Sequence, residues 1–263
     1  MTAAAAPRPR SDLLVRTVAG LALMALALFA IAFGDYCFWV LTTAAVLIML
    51  KEFCALLGVS GWPRLGTMLL LTAVFVLAQP GHQLIAALPA VGVLLAIAAL
   101  LALPFAGWRG AAGIVYAGVP GLALLFIRDQ YDGANLTLWT LMIVWATDIG
   151  AYFAGRSIGG PKLAPRLSPK KTWAGLIGGM AAALIVSLAV ASWLHTPIRL
   201  AALGSSLALL AQGGDLFESW LKRRAGVKDS GKLLPGHGGA LDRLDGVVPV
   251  ASVVAGLLLV GYV

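Results

Sequence analysis

The chain has 263 residues, 60% of them hydrophobic and 11% charged, with a formal net charge of +8. A soluble domain carries about 25% charged residues, so the composition excludes a water-soluble globule and fits one polytopic domain built for lipid. The positive balance alone would suit nucleic acid, but the placement of the charges, taken up below, argues for a membrane surface and against a nucleic-acid partner.

Apolar stretches near the roughly 20 residues that cross a bilayer as a helix recur from end to end. They fall at about 13–33, 36–57, 65–79, 84–105, 111–127, 136–155, 173–194, 198–217 and 247–263. The predicted fold is therefore an all-α bundle of about nine transmembrane helices. The first stretch reads as a retained span, not a cleaved signal peptide, because its apolar run is longer than a signal h-region and continues through Phe33. Gly34-Asp35, Gly58 to Gly66 and Gln79 to Gln83 read as turns. Near the end of the second span, Lys51-Glu52 is either a charged pair that snorkels to the interface or a substrate contact. Cys37 and Cys54 share that span, where a rigid helix holds them too far apart for a disulfide, and no Cys or His spacing suggests zinc.

Of the 19 lysines and arginines, 17 lie at the N-terminus or in the segments around and after the second, fourth, sixth and eighth spans. The opposite side holds only Arg128 and Arg199. By the positive-inside rule the N-terminus and the even loops face the cytoplasm. Polarity is also divided along the chain. Residues 1–135 read as about five N-terminal helices, and residues 136–263 as a catalytic region with cytoplasmic loops at 156–172 and 218–246.

The sixth span carries Asp148, Tyr152 and Gly155 or Arg156 on one helical face. A carboxylate inside a span costs about 2.5–3.5 kcal/mol on insertion scales, so Asp148 faces either a polar cavity or a basic partner. Ser168-Pro169-Lys170-Lys171-Thr172 follows, with Thr172 placed to cap the seventh span and Lys170 and Lys171 beside its free amides, a phosphate cradle in composition. Gly175, Gly178 and Gly179 read as a small-residue packing face. At the end of the eighth span Asp215, Glu218 and Ser219 project together. Lys222-Arg223-Arg224, Lys228-Asp229, Pro235-Gly-His237-Gly-Gly239 and Asp242-Arg243-Leu244-Asp245 complete the segment. Two acidic pairs among basic residues suit metal-assisted transfer to a phosphate, because Mg²⁺ takes hard oxygen ligands and leaves positions for substrate.

The run from Ser219 through Lys222-Arg223, Lys228-Asp229, Pro235-Gly-His237-Gly238-Gly239 and Asp242-Arg243-Leu244-Asp245 resembles the signature of the bacterial phosphatidate cytidylyltransferase family. The likeness extends upstream through Asp148 to Arg156 and Ser168 to Thr172, covering about 139–246. Two positions depart from it. Ala174 stands where many relatives have Glu, and Ala240 where a larger aliphatic residue follows His-Gly-Gly.

The resemblance implies CTP and phosphatidic acid as substrates and CDP-diacylglycerol and pyrophosphate as products. It also implies Mg²⁺, one ion or two, and a homodimer in the plasma (inner) membrane with its site on the cytoplasmic side. Asp215 and Asp242 are the expected metal ligands, with Glu218 and Asp245 as further ligands or orienting groups. Lys170, Lys171, Lys222, Arg223, Lys228 and Arg243 are expected at phosphate, and Asp148 and Ser219 at substrate. His237 either binds nucleotide or holds its loop. Two rival classes remain at this point: a transporter using intramembrane carboxylates, which should show repeated halves, and a CTP-dependent lipid kinase, which would release CDP.

Overall fold

The computed structural model describes residues 10–82, 84–231 and 238–262. Within them the chain is a helical bundle: α1 Arg10–Phe33, α2 Asp35–Leu56, α3 Gly61–Leu77, α4 Leu88–Asp129, α5 Gly133–Ser157, α6 Trp173–Ala191, α7 Ile198–Ala201, α8 Gly204–Arg224, α9 Leu241–Leu244 and α10 Val247–Leu259. Among the described residues, four helices are long and apolar enough to cross a membrane: Asp35–Leu56, Leu88–Asp129, Gly133–Ser157 and Trp173–Ala191. Shorter apolar helices at Gly20–Phe33, Gly61–Leu77 and Val247–Leu259 accompany them, as in a multi-pass membrane protein.

The fourth and fifth predicted spans are two helices, labelled together as α4, that meet at a kink at Gly107, where φ is 61° and ψ is −171°. That backbone is one glycine adopts freely, and Pro104 just upstream removes an amide from the ladder, so the break is local chemistry. Gly34 makes the comparable break between α1 and α2 at φ 64°. Cys37 and Cys54 are both free thiols, as their common helix requires.

The largest difference from the sequence reading lies at 156–172. In place of an irregular loop stands an antiparallel hairpin, β1 Lys162–Ala164 with β2 Ser168–Thr172, in which Lys162 faces Thr172 and Ala164 faces Ser168. Pro161, Pro165 and Pro169 exclude helix here. Extended backbone through Thr172 then leads directly into α6, whose first turn Thr172 caps by accepting the Gly175 amide at 3.1 Å.

Helix association in lipid depends on close packing and buried hydrogen bonds more than on the hydrophobic effect. The most extensive helix pair, α5 with α6, shows both. A Cβ on Gly178 would run into Ala154, and one on Gly179 into the Thr147 carbonyl, so these glycines form the small-residue face expected of them. Deeper in the bundle the Trp139 indole donates to Ser187 Oγ at 2.9 Å, and Ser187 donates to the Ala201 carbonyl at 2.8 Å, tying α5, α6 and α7 together. α4 packs against α2, α3 and α10, and α8 packs against α6, α5 and α10. The end of α8, the hairpin and α9 thus meet at one end of the bundle.

Candidate active site

α8 supplies the axis of the site. Asp215, Glu218, Ser219 and Lys222 lie along its last turns at helical spacing. Lys171, delivered by β2, reaches Asp215 Oδ2 at 2.6 Å and donates to Gln212 Oε1 at 2.8 Å. Lys222 contacts Glu218 Oε2 and Asp242 Oδ1, each at 2.6 Å. Two ammonium groups therefore cross-link three chain segments through carboxylates.

The acidic groups do not divide as the sequence reading expected. Asp215, Glu218 and Asp245 each present an oxygen within 4.8 Å of the others. Asp242 is not one of that trio, but it lies beside Glu218 and shares the Lys222 ammonium with it. Besides Lys222, its carboxylate accepts from the Ser230 amide at 2.9 Å, the Ser230 hydroxyl at 2.9 Å and the Gly239 amide at 2.8 Å. Burial works against its ionised form, but the Lys222 ammonium and these backbone donors outweigh it and hold the group down at about 2. Asp245 is the opposite case: burial and the negative charge of Asp215 push it up to about 7, against the bond it accepts from the Gly246 amide.

The convergent trio fits a hard divalent cation such as Mg²⁺. All three donors are carboxylate oxygens. Glu218 is only 1% exposed, and its Oε1 is buried with no hydrogen-bond partner among the described residues. A buried, unpartnered carboxylate oxygen beside two like-charged groups is an arrangement that a cation relieves.

The other expected site residues are distributed around this centre. Asp148 is exposed on α5, within electrostatic range of Asp215, Lys171 and Arg243. Arg243 is exposed on α9. Ser219 donates to Asp215 Oδ1 at 3.4 Å. Arg223 donates to the carbonyls of Leu167 and Val227, at 3.4 and 3.5 Å, and so ties α8 to the hairpin turn. Lys170 and Lys228 are exposed on the basic segments. His237 lies outside the described residues. The α6 N-terminus is less open than a phosphate cradle requires, because the Trp173 amide donates to the Pro161 carbonyl and the Gly175 amide to Thr172.

Two contributors, Ser230 and Tyr116, escaped the sequence reading of the site, and a third, Glu52, has a different place from either one considered for it. Ser230 is held between carboxylates. Tyr116 of α4 stacks on Phe53 at 4.7 Å and lies beside Phe217 at 5.6 Å, with its hydroxyl buried near Glu218 and Asp245. Glu52 of α2 was considered as a snorkelling or substrate-contacting residue, yet it is buried against the segment preceding α9. The available signal for Glu52 was a carboxylate in an apolar span.

A cytidylyltransferase-family model matches residues 14–260, nearly the whole chain. The chain belongs to the cytidylyltransferase family. Among curated proteins, it is 52% identical over 149 residues to a phosphatidate cytidylyltransferase of Brucella suis biovar 1, covering 56% of this chain and 55% of that protein. A phosphatidate cytidylyltransferase of Haemophilus influenzae is 42% identical over 127 residues, covering 46% of this chain and 44% of the relative. One from Rickettsia bellii is 38% identical over 159 residues, covering 56% and 69%. The aligned stretch thus spans about half the length of the Brucella relative.

Proposed function

We propose that this member of the family is a phosphatidate cytidylyltransferase, transferring CMP from CTP to phosphatidic acid. The observation that carries the proposal is the convergence of Asp215, Glu218 and Asp245 between two lysine bridges, in a chain similar over about half its length to proteins of that name.

In the reaction a phosphate oxygen of phosphatidate attacks the α-phosphorus of CTP. The new P–O bond forms as the bond from the α-phosphorus to the bridging oxygen breaks, and pyrophosphate leaves with that oxygen. The nucleophile is already an anion, so no strong general base is needed, and positioning with charge neutralisation carries the rate. Asp215, Glu218 and Asp245 would hold Mg²⁺, one ion or two, which supplies charge neutralisation at the phosphates. Lys171 and Lys222 hold the carboxylates in place and put positive charge beside them. Asp242 fixes Lys222, Ser230 and Gly239. Lys170, Arg223, Lys228 and Arg243 line the basic approach for triphosphate and lipid phosphate, with Asp148, Ser219 and His237 as further substrate contacts.

Residues 1–135 would then be the supporting helices and 136–263 the catalytic region, in a chain crossing the inner membrane about nine times and paired as a homodimer. The site faces the cytoplasm, where CTP is made available, and phosphatidate comes from the surrounding lipid. Asp215→Asn in purified, reconstituted protein is expected to abolish CTP incorporation into lipid while insertion and monodispersity persist. Near-normal turnover of that variant would refute the site assignment.

A further inference from the structure

Besides Tyr116, the first half of the chain reaches the acidic site through a carboxylate. Glu52, near the C-terminal end of α2, is 7% exposed. Its Oε1 accepts from the Ala240 amide at 3.2 Å, and its Oε2 accepts from the Leu241 amide at 2.8 Å. Ser230 Oγ lies 3.2 Å from the same Oε2. The two amides are at the start of α9, so a carboxylate from another helix caps the single turn that carries Asp242 and leads to Asp245. Gly231 and Gly239 pack so closely on Glu52 that a Cβ on either would run into its carboxylate. Ser230 Oγ is at the same time 2.9 Å from Asp242 Oδ2, so Glu52 and Asp242 both lie within hydrogen-bond reach of one hydroxyl.

We propose that Glu52 is a positioning residue of the site: it sets the orientation of α9 and thereby the place of Asp245 opposite Asp215 and Glu218. It touches neither substrate nor the reacting phosphorus. A carboxylate holding two backbone amides fixes an element more tightly than an apolar contact, because charge-assisted hydrogen bonds are strong and directional. The inference rests on the acidic trio being the site proposed above.

Wild type, Glu52→Ala and Glu52→Gln should be purified in detergent and compared per folded molecule, with monodispersity and melting temperature recorded. Mn²⁺ alone, followed by electron paramagnetic resonance without CTP, reports the geometry of the trio independently of turnover. Glu52→Ala is expected to weaken Mn²⁺ binding and lower kcat, each by about 10–100-fold, the usual effect of removing a group that orients metal ligands, with KM for CTP changed by no more than about threefold. Glu52→Gln keeps an acceptor for Leu241 and Ser230 but turns an amide group toward the Ala240 N–H, so its losses should be intermediate. If both variants match wild type within about twofold per folded molecule, far below the effect of losing an orienting group, Glu52 is merely structural and the proposal fails. Failure of both variants to fold would also overturn it, by making Glu52 a determinant of assembly. A wild type that neither binds Mn²⁺ nor makes product would instead sink the reading of the site itself.

Discussion

Lys222 bridges two carboxylates that are 1% and 10% exposed, while its own side chain is 14% exposed. Replacing it with Met leaves two buried carboxylates without their cation, a change that costs roughly 3–5 kcal/mol in buried ion pairs. Lys222→Met should therefore melt well below wild type even before activity is considered, and an unchanged melting temperature would contradict this role. Asp242 and Asp245 should separate by experiment. Asp245→Asn is expected to raise the Mg²⁺ concentration needed for half-maximal turnover by about tenfold or more. Asp242→Asn should instead act mainly by freeing Ser230 and Gly239, lowering the melting temperature. A titration of activity with Mg²⁺ alongside a thermal melt distinguishes the two. The acid trio was half legible in sequence. Helical spacing brings Asp215 and Glu218 together wherever α8 lies. Which of Asp242 and Asp245 meets them depends on how one turn is pinned by Glu52 and Ser230, and no local spacing encodes that. Glu52 is 188 residues from its partner Ala240, so the pairing exists only in three dimensions.

At the scale of elements, the hairpin and α6 act as a unit that presents Lys171 to α8. Their placement depends on the glycine contact with α5, since Gly150, Gly178 and Gly179 let the two backbones approach. Gly178→Leu must push Ala154 aside, an overpacking that costs about 1–3 kcal/mol in well-packed cores. It should lower both the melting temperature and turnover, while Ile177→Leu, at an exposed position beside it, should change neither. Equal behaviour of the two variants would refute the coupling. The small-residue face was readable because glycines three and four residues apart must share one side of a helix. The hairpin was not, because strands of three and five residues, the second carrying Pro and two Lys, lack the apolar alternation that marks a strand.

For the whole molecule, the segregation of 17 basic residues from Arg128 and Arg199 predicts an orientation as well as a fold class. With Cys37 and Cys54 replaced by Ser, Arg199→Cys should react with a membrane-impermeant maleimide added outside intact spheroplasts. Arg166→Cys should react only after the membrane is opened, and the reverse pattern would invert the proposed topology. The apolar periodicity made the helical bundle legible from composition onward. The break between the fourth and fifth predicted spans was legible too, since a glycine with a proline nearby interrupts a helix, and it falls at Gly107. The apolar periodicity did not show that the N-terminal helices supply Glu52 and Tyr116 to the site. The central claim is the chemistry. Purified protein supplied with phosphatidate, Mg²⁺ and CTP labelled at the α- or γ-phosphate tests it most directly. The expected result is α-label in CDP-diacylglycerol, γ-label in pyrophosphate, equal amounts of the two products, and loss of both when Mg²⁺ is chelated. Transfer of the γ-label to lipid with release of CDP would contradict it.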